Sequence, residues 1–372
     1  MQRVVVVGGG VLGMTHALAA RKRGHQVVHL ERETDPRGAT VRNFGLIWIS
    51  GRAPGAELSL ALRARELWEQ LANVVPGTGF RPHGSLTLAR NNAEGALLRE
   101  AAGRPDVGER GCRFLDAAAV RALNPALRGA FGCGLYCEKD AIVEPRQVPV
   151  AIRDYLLRTA SPDGYTWLPC REAVDVAPRA VRDQTGTWHG GDLVILCTGA
   201  AHTGVAGRYL SRCDRPPVRR VRLQMLQTGP FGRRLSTSLA DGDSLRYYPA
   251  YDLPGRAALV PQEPAAAAAG AQLLLAQRLD GSLTIGGTHA YDEPFDFDLE
   301  EAAYDHLRTV AEELLGSPLP ATRRRWAGVY SQATGTDIYL RGEVEPGVPL
   351  VTGPGGRGMT LAPAIAEQTF AG

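Results

Sequence analysis

Apolar residues in this chain recur in two patterns: short unbroken runs, and stripes at helical spacing. Residues 4–7 (VVVV) form such a run, a turn carrying Gly8, Gly10 and Gly13 follows, and an alanine-rich helical pattern leads to a second run at 27–30 that ends on Glu31. Unbroken runs read as strands buried on both faces, and a helix between two of them reads as the crossover of a parallel sheet. Residues 57–75 predict a helix, with Leu58, Leu60, Leu62, Leu67, Trp68 and Leu71 on recurring faces. Residues 80–90 predict a strand, 93–102 and 116–123 short helices, 134–145 a strand and turn, and 146–159 a helix. A strand at 193–196 runs into the turn Cys197-Thr198-Gly199-Ala200, and 217–290 alternates short strands with turns. Within it, the alanine-rich stretch 263–271 is expected to be a mobile loop. Residues 299–315 predict an amphipathic helix. The chain then returns to a strand at 348–351, a glycine turn at 353–358 and a helix from about Pro363. There is no internal repeat.

The order strand, glycine turn, helix, strand, acid is the one a dinucleotide requires. Gly8 permits the tight turn, Gly10 lets the backbone approach a pyrophosphate, and Gly13 lets the helix pack against the strand. The helix N-terminus turns free N–H groups and a positive dipole end toward the phosphates. Glu31 would accept a hydrogen bond from the adenosine ribose and would repel a 2′-phosphate. Because nucleotide-type patterns occur at both ends and in the middle of the chain, that domain is expected to be discontinuous. The predicted architecture is α/β: a Rossmann-type domain from residues 1–79, 140–216 and 321–372, and a substrate domain with a mixed or antiparallel sheet from 80–139 and 217–320.

Composition narrows the picture. A chain of 372 residues, 44% hydrophobic and 22% charged, matches an ordinary globular protein of two domains. A net charge of +3 gives no case for nucleic acid or a membrane surface as partner. No apolar stretch approaches the roughly 20 residues of a membrane helix. The six cysteines lack paired CxxC spacing, so no metal is expected and buried free thiols in a reducing cytosol are. The glycine motif begins at residue 3, so the expectation is a cytoplasmic protein without a signal peptide. Lys22 and Lys139 are the only lysines, whereas arginine is abundant.

Four blocks carry a resemblance: GGGVLG with Glu31, GATVRNFG at 38–45, DLVILCTGA at 192–200, and GPGGRGMTLAPAIAE at 353–367. In this order they resemble the FAD-dependent amine oxidoreductases of the D-amino-acid-oxidase superfamily, which includes the glycine and sarcosine oxidases. The RNFG block, with GDSLRYYPA (242–250) and SLTIGGTHAY (282–291), is similar to a bacterial subfamily associated with aminophosphonate breakdown. The resemblance implies FAD contacts from Gly8, Gly10, Val11, Leu12, Gly13, Glu31 and Arg32 at the nucleotide end. It implies further contacts from Thr40, Arg42, Asn43, Phe44 and Gly45, and from Thr198 and Gly199 beneath the cofactor. Gly355, Gly356, Arg357, Gly358, Met359 and Thr360 form the corresponding C-terminal flavin motif. A reduced flavin is negative near N1 and the C2 carbonyl, and the helix opening at 356–360 would direct N–H groups and its dipole at that charge.

Substrates of this superfamily usually carry an anion gripped by Arg and Tyr. The candidates here are Arg42, Arg246, Tyr248, His289, Arg325 and Tyr330. Arg246 and Tyr248 are expected to alternate on one face of a strand, and His289 is a candidate base or hydrogen-bond partner. Trp48 and Trp326 read as core or pocket wall. The expected reaction is oxidative deamination or dealkylation of a small primary or secondary amine bearing a carboxylate or phosphonate, with hydride passing to flavin N5. Sarcosine-oxidase-like relatives place a lysine near the flavin for oxygen reduction, and here Thr284 takes its position. The acceptor is therefore oxygen or another carrier, with an oxidase expected ahead of a flavin dehydrogenase, and a non-catalytic flavoprotein of an assembly stays open. No cysteine follows Cys213, so non-covalent FAD is expected.

Overall fold

The computed structural model describes residues 1–161 and 163–371. Two large sheets organise it. The first has six strands in the order Leu340–Glu345, Val348–Thr352, Leu193–Leu196, Arg3–Val7, Gln26–Leu30, Tyr165–Leu168. Its pairs are parallel except the edge pair Leu340–Glu345 with Val348–Thr352. The unbroken valine run is explained by burial on both faces. Val4 and Val6 face a helical layer, whereas Val5 and Val7 face a core shared with Val176 and Val181 of a small three-stranded antiparallel sheet. In the helical layer Val11–Lys22 lies between the sheet and the terminal helix Gly358–Thr369, so it is buried on nearly every side rather than amphipathic.

The second sheet has eight strands, in the order Thr322–Ala333, Val218–Pro230, Ser282–Gly286, Leu274–Gln277, Ser238–Ala240, Ser85–Ala89, Cys133–Cys137, Cys112–Asp116. It is mixed, because Ser238–Ala240 runs parallel to Ser85–Ala89 while its other pairs are antiparallel. Period-two alternation gives the sheet two faces. Leu226, Leu239, Leu275, Leu283 and Ile285 pack under the helix Glu301–Leu315, through Tyr304, Leu307, Val310 and Leu314. The opposite face sets Met225, Ala240, Leu274 and Ala276 against Phe44, Trp48 and Tyr248. That face looks toward the first sheet, and the functional site lies between the two.

Four local expectations change. The strand Thr322–Ala333 pairs along Val218–Pro230, so residues 322–333 belong with the second sheet and not with the nucleotide-binding part assigned from residue 321. The stretch expected as a loop at 263–271 contains the short helix Pro264–Ala268, capped by the Glu263 carboxylate, which accepts from the Ala265 and Ala266 N–H groups at 3.0 and 3.2 Å. The terminal helix starts at Gly358, ahead of Pro363. A proline there removes the N–H that would reach the Met359 carbonyl, and the Trp68 Nε1–H fills the vacancy at 2.9 Å. Finally, the six cysteines are free but not uniformly buried: Cys170 is exposed, and Cys112 and Cys213 are half-buried. Among the described residues no helix is long and apolar enough to cross a membrane.

Candidate functional site

A cavity of about 1150 Å³ runs between the sheets. That exceeds the roughly 300–1,000 Å³ of an ordinary small-molecule pocket, leaving room for a large cofactor and a substrate beside it. Its nucleotide end is built from backbone. Gly8 has φ +102°, and a Cβ there would meet the Cys197 carbonyl at 2.3 Å. A Cβ on Gly13 would stand 1.7 Å from the Gly8 carbonyl, so the helix packs as closely as its backbone allows. The Gly8 carbonyl accepts from His29 Nε2 at 3.0 Å, and the Tyr165 hydroxyl donates to the other ring nitrogen at 3.1 Å. That arrangement needs a neutral ring, and burial lowers the His29 pKa to about 4 against the opposing carbonyl contact.

Glu31 follows the second strand, as the sequence placed it. Its carboxylate accepts the Gly9 N–H at 2.6 Å and the Glu33 N–H at 3.0 Å, and it still faces the cavity with lone pairs to spare. Gly10, Val11 and Leu12 line the cavity beside it, with Arg32 exposed at the rim. The Thr40 hydroxyl accepts from the Val11 N–H at 2.9 Å, joining the following loop to the helix N-terminus. Asn43 braces that loop, donating to the Ala39 and Thr40 carbonyls and accepting from the Gly45 N–H. Phe44 forms wall, whereas Gly13 and Gly45 support the cavity without lining it. Thr198 and Gly199 line it from the end of the strand Leu193–Leu196.

At the other end, Gly355, Gly356, Arg357, Gly358 and Met359 form a turn that opens the terminal helix. Thr360 lies behind them, accepting from the Trp48 N–H at 2.9 Å. Over Gly356 stand two phenol groups, Tyr247 and Tyr330, whose hydroxyls are 3.4 Å apart. His289 stacks on Tyr247 with ring centroids 4.2 Å apart. Its Nδ1 faces the Gly270 carbonyl at 3.0 Å and must donate, so Nε2 carries a lone pair; burial holds its pKa down near 4. Tyr248 is buried between Trp48 and Arg52, and burial pushes its phenol pKa up.

The three arginine candidates sit in different surroundings. Arg246 and Tyr248 do not alternate on a strand, because Ser244–Tyr247 is a single helical turn that Pro249 leads into a second one. Arg246 lines the cavity, with its Nε donating to Asp243 and its Nη2 to the Val260 carbonyl. Arg325 lies outside the cavity, pairing with Glu301 at 3.1 Å and pinning the helix Glu301–Leu315 to its sheet. Arg42 lines the rim, is exposed, and donates to the Ala327 carbonyl at 3.1 Å.

Arg52, Glu57 and Gln272, which sequence reasoning passed over, complete this end together with Trp48, expected as core or pocket wall. Arg52 is 3% exposed and lines the cavity, and its Nη1 meets Glu57 at 3.4 Å while Nε has no partner. Glu57 also accepts from Arg357 at 3.1 Å. Trp48 Nε1 and Gln272 Oε1, on two further lining residues, are likewise buried and unpartnered. Arg52 sits in a Gly- and Pro-containing loop, and Glu57 reads as an ordinary acid in a helix's first turn. Only their mutual approach in three dimensions marks them.

A glycine turn over a parallel sheet, an acid at its second strand and a second sheet across one shared cavity define a dinucleotide-dependent enzyme fold. The family model described as FAD dependent oxidoreductase (DAO) matches residues 3–371, and the chain belongs to that family. FAD is accordingly its cofactor, and the residues present fit it: close-packed glycines, a ribose-side carboxylate and a helix-opening turn at the far end. The Rhizobium etli protein assigned as thiamine biosynthesis oxidoreductase ThiO is 29% identical over 206 residues, covering 54% of this chain and 55% of that protein. A D-amino-acid oxidase of Rubrobacter xylanophilus is 32% identical over 228 residues, covering 60% and 59%. The chain thus spans little more than half the length of these curated relatives. The fold is that of glycine oxidase from Bacillus cereus, at TM-score 0.77 and 18% identity over 99% of this chain and 93% of that one.

Proposed function

We propose that this protein oxidises a small primary or secondary amine that carries an anionic group, a carboxylate or a phosphonate. When bound, FAD supplies the hydride acceptor. The observation that carries the reading is Arg52. A guanidinium withdrawn from water at the cavity wall shares a single carboxylate with a second arginine, which leaves one positive charge in surplus. Buried charges demand partners, and a planar guanidinium suits carboxylate or phosphonate. Trp48 Nε1, near the same tyrosine, offers a second donor to that anion. His289 remains neutral above about pH 4, so its Nε2 can accept from the amine without adding charge. Positioning is most of what hydride transfer asks of the protein. Cys197, which reaches the cavity wall, is kept protonated by burial, in keeping with FAD held non-covalently.

Anaerobic mixing with amino acids, N-methyl amino acids and aminophosphonates tests the reading. Anionic amines should bleach the flavin and their uncharged analogues should not; bleaching indifferent to the anion would defeat it. An aminophosphonate outpacing the carboxylates would support the narrower aminophosphonate reading.

A second reading concerns the acceptor. Neither lysine lines the cavity, and Thr284 shares the sheet face of Met225 and Leu274 but lies beyond the lining. These features favour a dehydrogenase that passes electrons to a carrier other than oxygen. Reduced enzyme that reoxidises slowly in air and rapidly with a quinone or dye would support it, and fast reoxidation by oxygen would end it.

A further inference from the structure

Glu57 lies in the first turn of the helix Ala56–Val74 and is withdrawn from solvent, with its side chain 8% exposed. Its two oxygens serve different ends of one compartment. Oε1 meets Arg52 Nη1 at 3.4 Å, near the limit of a hydrogen bond, whereas Oε2 takes Arg357 Nη1 at 3.1 Å. Arg357 is further tied by its Nε to the Pro354 carbonyl at 3.0 Å, inside the turn that opens the terminal helix. Asp140, another buried carboxylate bonded to this loop, is fully engaged by Ile49, Ser50 and Ser85. Glu57 is therefore the carboxylate that Arg52 and Arg357 have in common.

Resting on the function proposed above, we infer that Glu57 is a positioning residue that shares its carboxylate between the substrate-anion anchor and the flavin-side turn, and so couples occupancy of the anchor to the redox poise of the bound flavin. An anion arriving at Arg52 competes for the guanidinium that Glu57 holds loosely. The carboxylate is then left to Arg357 alone, and the positive field at the turn falls. Reduced flavin is negative, so a weaker positive field disfavours reduction. Burial limits the screening that would mute this effect at the surface. Linkage makes the coupling mutual: reduction weakens anion binding by the same factor.

The test uses holoenzyme equilibrated anaerobically with a dye of known potential, with acetate and methylphosphonate as anions that cannot be oxidised. In the wild type, saturating anion should move the flavin–dye equilibrium toward oxidised flavin by about tenfold. Glu57→Gln removes the negative charge, so its anion-free equilibrium should move toward reduced flavin by about tenfold, equivalent to about 30 mV for two electrons. The anion-induced shift should then drop below about threefold. A Gln variant within twofold of wild type on both counts overturns the inference. Should that variant purify without flavin, Glu57→Asp decides: it keeps the charge but falls a methylene short of Arg52. With the carboxylate left to Arg357 and no longer competing for Arg52, anion affinity should rise about tenfold and the anion-free equilibrium should lie toward oxidised flavin, as in the anion-bound wild type; a fall in affinity or a shift toward reduced flavin overturns the proposal. If neither anion alters the flavin spectrum of the wild type, no anion binds and the substrate reading has failed instead; an anion that alters the spectrum without moving the equilibrium overturns the coupling, and the anion-free shift in Glu57→Gln judges the link to Arg357 in either case.

Discussion

One end of the cavity is walled by backbone and the other by side chains. Around Gly8 and Gly13 the geometry comes from positions where a Cβ does not fit, and the parts lie within one short stretch of chain ending at Glu31. Around Arg52, Tyr248 and Gly356 the wall draws on segments near residues 48–57, 246–248, 272, 289, 330 and 357, each reaching in from a different element. A site of the first kind tolerates almost no change in shape but little chemistry depends on it. The second kind holds most of the charge, and its members are replaceable in size but not in sign.

The sharpest way to break this contrast is Gly13→Val, which would drive a side chain into the Gly8 carbonyl. We expect protein without visible flavin absorbance, if it folds at all; FAD bound at normal stoichiometry would show that close packing there is dispensable. Acid should act on both ends together. Burial holds His16, His29 and His289 near pKa 4, below the ordinary 6.5. Above pH 6.5 folded and unfolded forms are alike neutral and stability is complete. As pH falls from 6.5 toward 4 the unfolded chain binds protons that the fold refuses, at a cost of about 3 kcal/mol per histidine by pH 4. Urea midpoints that stay flat over that window would contradict the neutral, enclosed rings.

Arg52→Met separates the two ends. FAD should stay bound, while the Kd of an anionic amine rises about 100-fold; a flavin titration showing unchanged affinity would return the anchor to Arg42 at the rim. Glu31→Gln is the converse, lowering FAD affinity by about tenfold and leaving substrate reduction intact once the cofactor is saturating. The smallest effect belongs to Arg325→Ala, where loss of a partly exposed pair should cost under about 1 kcal/mol and leave turnover within twofold. A large loss of activity there would mean that the helix Glu301–Leu315 transmits more to the site than its packing suggests.

What the sequence disclosed follows the same division. The nucleotide end is legible because valine runs, spaced glycines and an acid are short-range signals of a local backbone shape. The C-terminal turn was legible by its glycines too, although the helix begins before Pro363 because Trp68 satisfies the carbonyl that the proline leaves open. Arg246 and Tyr248 misled for a physical reason: alternation in SLRYYPA suggests a strand, but Pro249 and the local turns curl the segment, and Tyr247 is the residue that reaches Tyr330. Arg52 and Glu57 gave no periodic signal. Their meaning is a distance between loop and helix, and one-dimensional patterning does not encode it.

The helix Val11–Lys22 is enclosed by a helix from the far end of the chain, with the Thr15 hydroxyl contacting the Ala362 carbonyl across 347 residues of sequence. During synthesis, then, the strand Arg3–Val7 and its glycine turn emerge long before Gly358–Thr369 and stay without their cover until that helix has left the ribosome. Long-range closure of this kind is slow and leaves apolar surface waiting. In the cell this enzyme's exposure to chaperones should be governed by the time between making the helix Val11–Lys22 and making Gly358–Thr369.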